Sequence, residues 1–328
     1  MPPETSGPEA PAAAPPVAPS TSGRRRVAVT AEAVDRFHEL APRTIEISAL
    51  TKGLDLETVD FLVPTHLERW IVEPLPSLRR VAVVQLLSAG SDWIDGRLPP
   101  QATLCNARGA RDGPVAEWVV SALLGASSRT LEGARRRAWA DRGLADLASW
   151  TVLVVGMGSI GRRVRWLLEP FGTRVVGIAS TAREGLYGVD ELASLLPDAD
   201  AVVILAPLSD DTRGLIGTPE LAAMRDGTLL VNAARGAIVD TDALLAEVIP
   251  GRLRAVLDVT DPEPLPRDHA LSNAPGVLSI TPHIAGDSPL GNRRAIDLAA
   301  RQLARWMAGE ELDNVVRGGV PEAPVGSR

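Results

Sequence analysis

Three residues able to move a proton or grip an anion recur in order, each beside a Gly or Pro at the end of a short apolar run: Arg235, Glu263 and His283. They stand in Asn232-Ala-Ala-Arg235-Gly236, Asp258-Val-Thr-Asp-Pro-Glu263-Pro264 and Thr281-Pro-His283-Ile-Ala-Gly286. The runs LLVN, AVLDV and VLSITP read as strands, and their Gly and Pro neighbours as the loops that follow. In an open α/β sheet, loops beyond the carboxyl ends of strands build the ligand crevice. A fixed cation, a carboxylate and a titratable imidazole placed there suit moving a proton on and off the oxygen of a small anion. Each has an ordinary reading alone: a solvated arginine, a loop glutamate, a structural histidine. Their weight comes from occurring in order, downstream of a nucleotide fingerprint.

That fingerprint is Thr151-Val-Leu-Val-Val-Gly156-Met157-Gly158-Ser159-Ile160-Gly161, with a helical pattern after it and a second strand from Thr173 to Ala179. Gly156 makes the tight turn, Gly158 lets a pyrophosphate approach the backbone, and Gly161 lets the helix pack on the sheet. The free N–H groups and positive dipole end of that helix favour phosphate. Chance glycine turns match the six-residue pattern, but the flanking strand and helix make it a dinucleotide site.

The elements that must position these residues alternate. Strands are expected at Arg25–Thr30, Thr44–Ser48, Phe61–Val63 and Leu78–Gln85, with a helix over Leu67–Glu73. A long connector helix is expected from Glu117 to Trp139. Beyond the fingerprint come a helix near Val189–Leu196, a strand at Ala201–Leu205, a helix near Pro219–Met224 and a strand at Thr228–Val231. A helix at Thr241–Ile249, strands at Ala255–Val259 and Val277–Ile280, and a final helix at Pro289–Ala308 complete the pattern. Right-handed crossovers turn this alternation into a doubly wound α/β sheet.

Of the 328 residues, 45% are hydrophobic and 23% charged, as in ordinary globular chains, and the net charge is −7. There is no basic stripe for nucleic acid and no apolar stretch of membrane-spanning length. One cysteine, Cys105, cannot form an internal disulfide, which fits a reducing cytoplasm. Residues 1–23 are Pro, Ala and Ser without an apolar core, so they are expected to be disordered and are not a signal peptide. The tail over 318–328 reads the same way.

Five ordered motifs resemble the D-isomer-specific 2-hydroxyacid dehydrogenase family over roughly residues 60–316. They are Gly156–Gly161, Ala206-Pro207-Leu-Ser-Asp-Asp-Thr212-Arg-Gly-Leu-Ile216, Asn232–Asp240, Leu257–Pro266 and Thr281–Gly286. The resemblance implies two Rossmann-like α/β domains with the active site in the cleft between them. A flavodoxin-like substrate domain would be built from both chain ends (24–104 and 287–317), and an NAD(P)-binding domain would span 105–286. It implies reduction of a small 2-keto acid to the D-2-hydroxy acid, reversibly, in a cytoplasmic homodimer, without metal. Arg235 resembles the arginine that holds the substrate carboxylate and carbonyl, and His283 the general acid/base. Glu263 resembles the carboxylate that stabilises the imidazolium. Ser88, Ala89 and Gly90 resemble the loop whose backbone N–H groups bind the substrate carboxylate. The cofactor set carried over is Gly156, Met157, Gly158, Ser159, Ile160, Gly161, Ser180, Thr181, Arg183, Ala206, Pro207, Thr212, Ala233, Ala234, Asp258 and Gly286, with Asp258 near the nicotinamide amide.

Several positions depart from the family pattern. NAD-specific members end the second Rossmann strand with an acid, whereas this chain has Ala179, followed by Ser180, Thr181 and Arg183. With no carboxylate to repel a 2′-phosphate, NADP is favoured over NAD; the alternative is that Arg183 points to solvent. Ala89 stands where phosphite-oxidising relatives carry lysine. Trp93 either lines the pocket or packs in the core. Trp139 resembles a tryptophan that some glyoxylate and hydroxypyruvate reductases lend to the partner's site, and core or dimer packing is an equal reading. In Glu117–Trp139, the stripe Trp118, Val119, Ala122, Leu123 and Ala126 faces either a two-fold partner or its own domain. A cofactor-sensing protein or corepressor on the same fold would retain the same triad, so turnover separates the two.

Overall fold

A computed structural model describes residues 24–41, 43–94, 96–136 and 143–319. The chain forms two units, one running to Ala110 and resuming at Asn292, the other spanning Arg111–Gly291.

In the first unit, β1 (Arg25–Val29), β2 (Ile45–Ala49), β3 (Phe61–Val63), β4 (Val83–Gln85) and β5 (Thr103–Cys105) run parallel, with α1 (Val34–Leu40) between β1 and β2. Strand period two divides each run between two cores. Val27, Val29 and Val83 face one core, and Ala28, Leu62, Val84 and Leu104 the other.

The second unit begins with α2 (Asp112–Ser127) and α3 (Thr130–Arg136), followed by β6 (Thr151–Val155), α4 (Ser159–Leu168), β7 (Arg174–Ala179), β8 (Tyr187–Gly188) and α5 (Leu192–Leu195). Next come β9 (Ala201–Ile204), α6 (Thr218–Ala223), β10 (Leu229–Asn232), α7 (Thr241–Val248), β11 (Arg254–Leu257) and β12 (Val277–Ile280). All seven strands are parallel, in the order β12-β11-β10-β9-β6-β7-β8. The order reverses between β6 and β9, the switch point where such sheets bind nucleotides. Leu153, Val155, Val202 and Ile204 pack on one face; Val152, Val154, Ala201 and Val203 pack on the other.

The helix α8 (Pro289–Ala308) then places Ala295, Ala299, Leu303 and Trp306 in the first unit's core. The last strand, β13 (Val315–Arg317), pairs antiparallel with β5 and closes a six-stranded sheet, β13-β5-β4-β3-β1-β2. Cys105 is buried there, and desolvation pushes its thiol up to about 12.

The structure corrects six expectations. The connector helix starts earlier, at Asp112, and breaks at Arg129 (φ 59°). The hydroxyl of Ser128 bonds back to Leu124 O at 2.6 Å, and Arg129 is held by Gly143 O at 2.7 Å, so local polar bonds compete with helix continuation. Val119, Ala122, Leu123 and Ala126 are buried in this unit's own core, and of the stripe only Trp118, packed against them, keeps part of its surface exposed. Leu67–Glu73 is a pair of 3-10 turns over His66–Ile71, begun by a Thr65/Glu68 capping box and followed closely by Pro74. The Val189–Leu196 stretch has a single α turn flanked by 3-10 turns, and Leu78–Gln85 is extended in the sheet only over β4. Gly319 N donates to Thr103 Oγ1 at 3.2 Å, so the tail expected to be unstructured from 318 begins with an attachment. Trp139, residues 1–23 and residues 320–328 lie outside the described residues. Among those described, no helix is long and apolar enough to cross a membrane, and no metal-ligating cluster occurs.

Candidate active site

At the switch point the backbone itself forms the floor. Gly156 has φ +105°, and a Cβ there would strike the backbone of Leu205 and Ala206 at the end of β9. Gly161 passes so close to Gly156 O that a side chain would overlap it, whereas a Cβ on Gly158 would meet nothing within 4 Å. Gly158 has φ −72°, so its requirement is open space above the turn, not conformation. The first N–H groups of α4, at Ser159, Ile160 and Gly161, have no intrahelical acceptor and face that space. The Met157 side chain is buried against Gly177, leaving only its backbone at the turn.

Beyond β7, Ser180, Thr181 and Arg183 are exposed. The backbone of Arg183 exchanges hydrogen bonds with Leu186 (3.1 and 2.8 Å) across a tight turn at Gly185. After β9, Ala206 is buried and Pro207 exposed. The Thr212 hydroxyl donates to Pro207 O at 2.7 Å and accepts from Ser209 N at 2.8 Å, so it shapes its own loop.

After β10, Asn232 folds an Asx turn. Its Oδ1 accepts from Ala234 N at 3.1 Å and its Nδ2 donates to Arg235 O at 2.9 Å. Ala233 is half-buried and Ala234 buried. The Arg235 guanidinium donates to Ala234 O at 2.7 Å and is half-buried. Gly236 lies against the Thr260 carbonyl, tying the loops after β10 and β11 together, and a Cβ there would overlap it. Gly236→Ala is therefore expected to lower Tm by several degrees, on the scale of about 1–3 kcal/mol for overpacking. A wild-type melting curve would contradict this close approach.

The loop after β12 carries the densest bonding. The Asp258 carboxylate is 2% exposed and accepts from Thr281 Oγ1 (2.5 Å), Ile284 N (2.9 Å) and Ala285 N (2.9 Å). Its carbonyl accepts from His283 N at 2.8 Å. His283 is thereby held with φ 56°, a conformation costing a non-glycine residue about 1–3 kcal/mol unless the surroundings impose it. Its imidazole Nδ1 lies 2.7 Å from Glu263 Oε1, and both side chains are somewhat under half exposed. Gly286 packs on Val115 and Arg111, and Arg111 Nη1 donates to Gly286 O at 3.4 Å.

In the first unit, the Ser88–Gly90 loop follows β4. Ser88 Oγ donates to Gly90 O and Asn106 Nδ2 to Ala89 O, both at 2.8 Å. Ala89 is exposed. Trp93 packs partly buried on the core around Leu86 and Ile94.

The second unit also has a cavity of about 550 Å³ bounded by Trp150, Asp200, Arg225, Thr228 and Arg254. It opens at the amino ends of the strands and contains none of the candidate residues. The candidate residues Gly156, Arg235, Glu263 and His283 all stand at the opposite, carboxyl ends of the strands. Asn232, Thr281 and Asn106 were not singled out from sequence as site residues. An Asn or Thr at a strand end beside small residues is a turn-forming signal that points to the first two.

The model of the D-isomer specific 2-hydroxyacid dehydrogenase NAD binding domain matches residues 120–285. An (S)-sulfolactate dehydrogenase of Chromohalobacter salexigens is 34% identical over 263 residues, 75% of this chain and 82% of that protein. The NADPH-dependent glyoxylate/hydroxypyruvate reductase of Sinorhizobium meliloti, solved with NADP and sulfate, superposes with TM-score 0.78 at 26% identity, covering 89% of this chain and 98% of that one. A Xanthobacter autotrophicus Py2 family member, solved with NADPH and MES, gives TM-score 0.77 at 25% identity over 90% and 98%. With this fold, this switch-point turn and these matches, the chain belongs to the D-isomer-specific 2-hydroxyacid dehydrogenases, a family of NAD(P)-dependent oxidoreductases.

Proposed function

We propose that the chain reduces a small 2-keto acid to its D-2-hydroxy acid, with NADPH preferred over NADH. The observation that carries this reading is the His283–Glu263 pair at 2.7 Å on a loop clamped by Asp258. The carboxylate at Nδ1 fixes the ring and leaves Nε2 as the atom that gives a proton to the ketone oxygen. Arg235 offers a guanidinium fork to the substrate carboxylate and carbonyl. The backbone N–H groups of Ser88, Ala89 and Gly90 serve the same carboxylate. The cofactor supplies the hydride. Gly156–Gly161 hold its pyrophosphate; Ala206, Pro207, Thr212, Ala233, Ala234 and Gly286 line its path, and Asp258 holds the loop beside its nicotinamide. Glyoxylate and hydroxypyruvate, the substrates named for the Sinorhizobium relative, are the first to try. A reducing, cytoplasmic setting goes with this reading, supported by a lone Cys105 that is buried and cannot form an internal disulfide. Initial rates of NADPH loss with a panel of 2-keto acids test the reading; cofactor binding without turnover on any of them would mark a sensor instead.

Cofactor choice rests on Ala179, the last residue of β7, and on Arg183 beyond it. A charge-assisted arginine–phosphate contact contributes about 1.5–3 kcal/mol, roughly tenfold to a hundredfold in affinity. Wild type is expected to have the lower KM for NADPH, and Ala179→Asp to swing the preference to NADH. Equal or better kcat/KM with NADH in the wild type would reject the assignment.

We also propose a two-fold homodimer, the commonest oligomer. Because Val119, Ala122, Leu123 and Ala126 are consumed in their own core, only Trp118 of the α2 stripe is left to such a contact. Light scattering at micromolar concentration is expected to give twice the chain mass, and a monomer mass would reject the dimer.

A further inference from the structure

We propose that Arg162, on the first turn of α4, is a second specificity residue for the phosphorylated cofactor, bracketing the adenosine 2′-phosphate opposite Arg183. This rests on the NADPH reading above. Backbone bonds build the juxtaposition. The carbonyl of Ile178 in β7 accepts from Gly156 N at 2.9 Å and from Met157 N at 3.3 Å. The carbonyl of Met157 accepts in turn from Arg162 Nη1 at 3.3 Å. One residue therefore separates this guanidinium from the bond that ties the glycine turn to β7, and Ala179 directly follows Ile178. Although exposed, Arg162 is folded back over the turn instead of extending away from it.

Its charge is not consumed by a neighbour. Arg25, Arg36, Arg80, Arg225 and Arg252 each face a carboxylate. Among the described residues, Arg162, Arg165 and Arg183 have no carboxylate partner. Arg165, half-buried one helical turn further along, sets its Nη2 2.8 Å from where a Cβ on Gly177 would stand. The bare strand at Gly177 thus admits a third positive charge beneath Ala179. Of the acids nearby, Asp190 and Glu191 are turned to β8, where Glu191 Oε2 accepts from Gly188 N at 2.9 Å and Asp190 Oδ1 packs over Gly188, while Glu184, next to Arg183, is exposed. A phosphate carries several acceptor oxygens, and guanidinium forks on two separate elements match it better than one.

The experiment is calorimetric titration of the full chain with 2′,5′-ADP and with 5′-AMP, which differ by this phosphate alone. Wild type is expected to prefer 2′,5′-ADP by about a hundredfold, two arginine contacts each contributing about tenfold. Arg162→Ala is expected to cut that ratio by about tenfold while changing 5′-AMP affinity less than about twofold, with partial recovery in Arg162→Lys. Arg183→Ala is expected to act similarly, and the double variant to abolish the preference. An unchanged ratio in Arg162→Ala overturns the proposal and leaves the NADPH reading standing. Equal loss of both ligands also overturns it, because Arg162 would then only support the turn. A wild type that binds both ligands equally sinks the NADPH reading itself.

Discussion

Replacing His283 is expected to lower kcat by about 10²–10⁴, the usual contribution of a positioned general acid, with cofactor binding retained. The backbone decides which variant to make. At φ 56°, alanine relaxes into a different loop, whereas asparagine tolerates the left-handed region. His283→Asn therefore removes the proton while preserving the bonds from Ile284 N and Ala285 N to Asp258. If the acid itself matters, His283→Asn and His283→Ala lose comparable kcat. Near-normal kcat in His283→Asn would remove His283 from the chemistry. Glu263→Gln is a milder change: the neutral amide can still hold Nδ1 but carries no charge, so kcat is expected to fall less than in His283→Asn.

The second large effect is expected at Arg235. Truncation to Ala removes a guanidinium fork, two charge-assisted bonds of about 1.5–3 kcal/mol each, or about 10²–10⁴ in kcat/KM. Part of the loss falls on kcat, because negative charge grows on the ketone oxygen as hydride arrives. Arg235→Lys keeps the charge but not the fork and is expected to recover only part of the activity. Exogenous guanidinium is expected to restore a fraction of turnover to Arg235→Ala. An unchanged kcat/KM in Arg235→Ala would show that the substrate is held elsewhere. The Asx turn at Asn232 and the close approach of Gly236 to Thr260 present this arginine, so its precision depends on backbone packing more than on the residue alone.

Much of the fold is legible in the chain because parallel strands are buried on both faces and read as unbroken apolar runs. Phe61–Val63, Val277–Ile280 and Pro289–Ala308 have the bounds that their apolar patterns imply. What pattern alone misses is local competition for backbone groups. Ser128 and Arg129 end a helix that apolar spacing would continue, and the Thr65/Glu68 box starts a 3-10 turn where a helix was expected. β13 is three residues long, too short for periodicity, and exists because β5 offers it an edge.

For the site, residue types and order pointed to Arg235, Glu263 and His283. The 2.7 Å contact between side chains twenty residues apart follows only from the adjacency of β11 and β12. The clamp by Asp258 was equally hidden, because a buried acid at a strand end gives no sign of which N–H groups it will accept from. The α2 stripe shows the opposite error: apolar spacing identifies a buried face but not whether the covering surface belongs to the same chain.

The most direct measurement of the central claim is product analysis of a single incubation with NADPH and the fastest 2-keto acid of the panel. Chiral chromatography would be read against the NADPH consumed. The expected result is one D-2-hydroxy acid formed per NADPH oxidised, abolished in His283→Asn. NADPH left unoxidised by every keto acid, or an L-2-hydroxy acid as the product, would contradict the account.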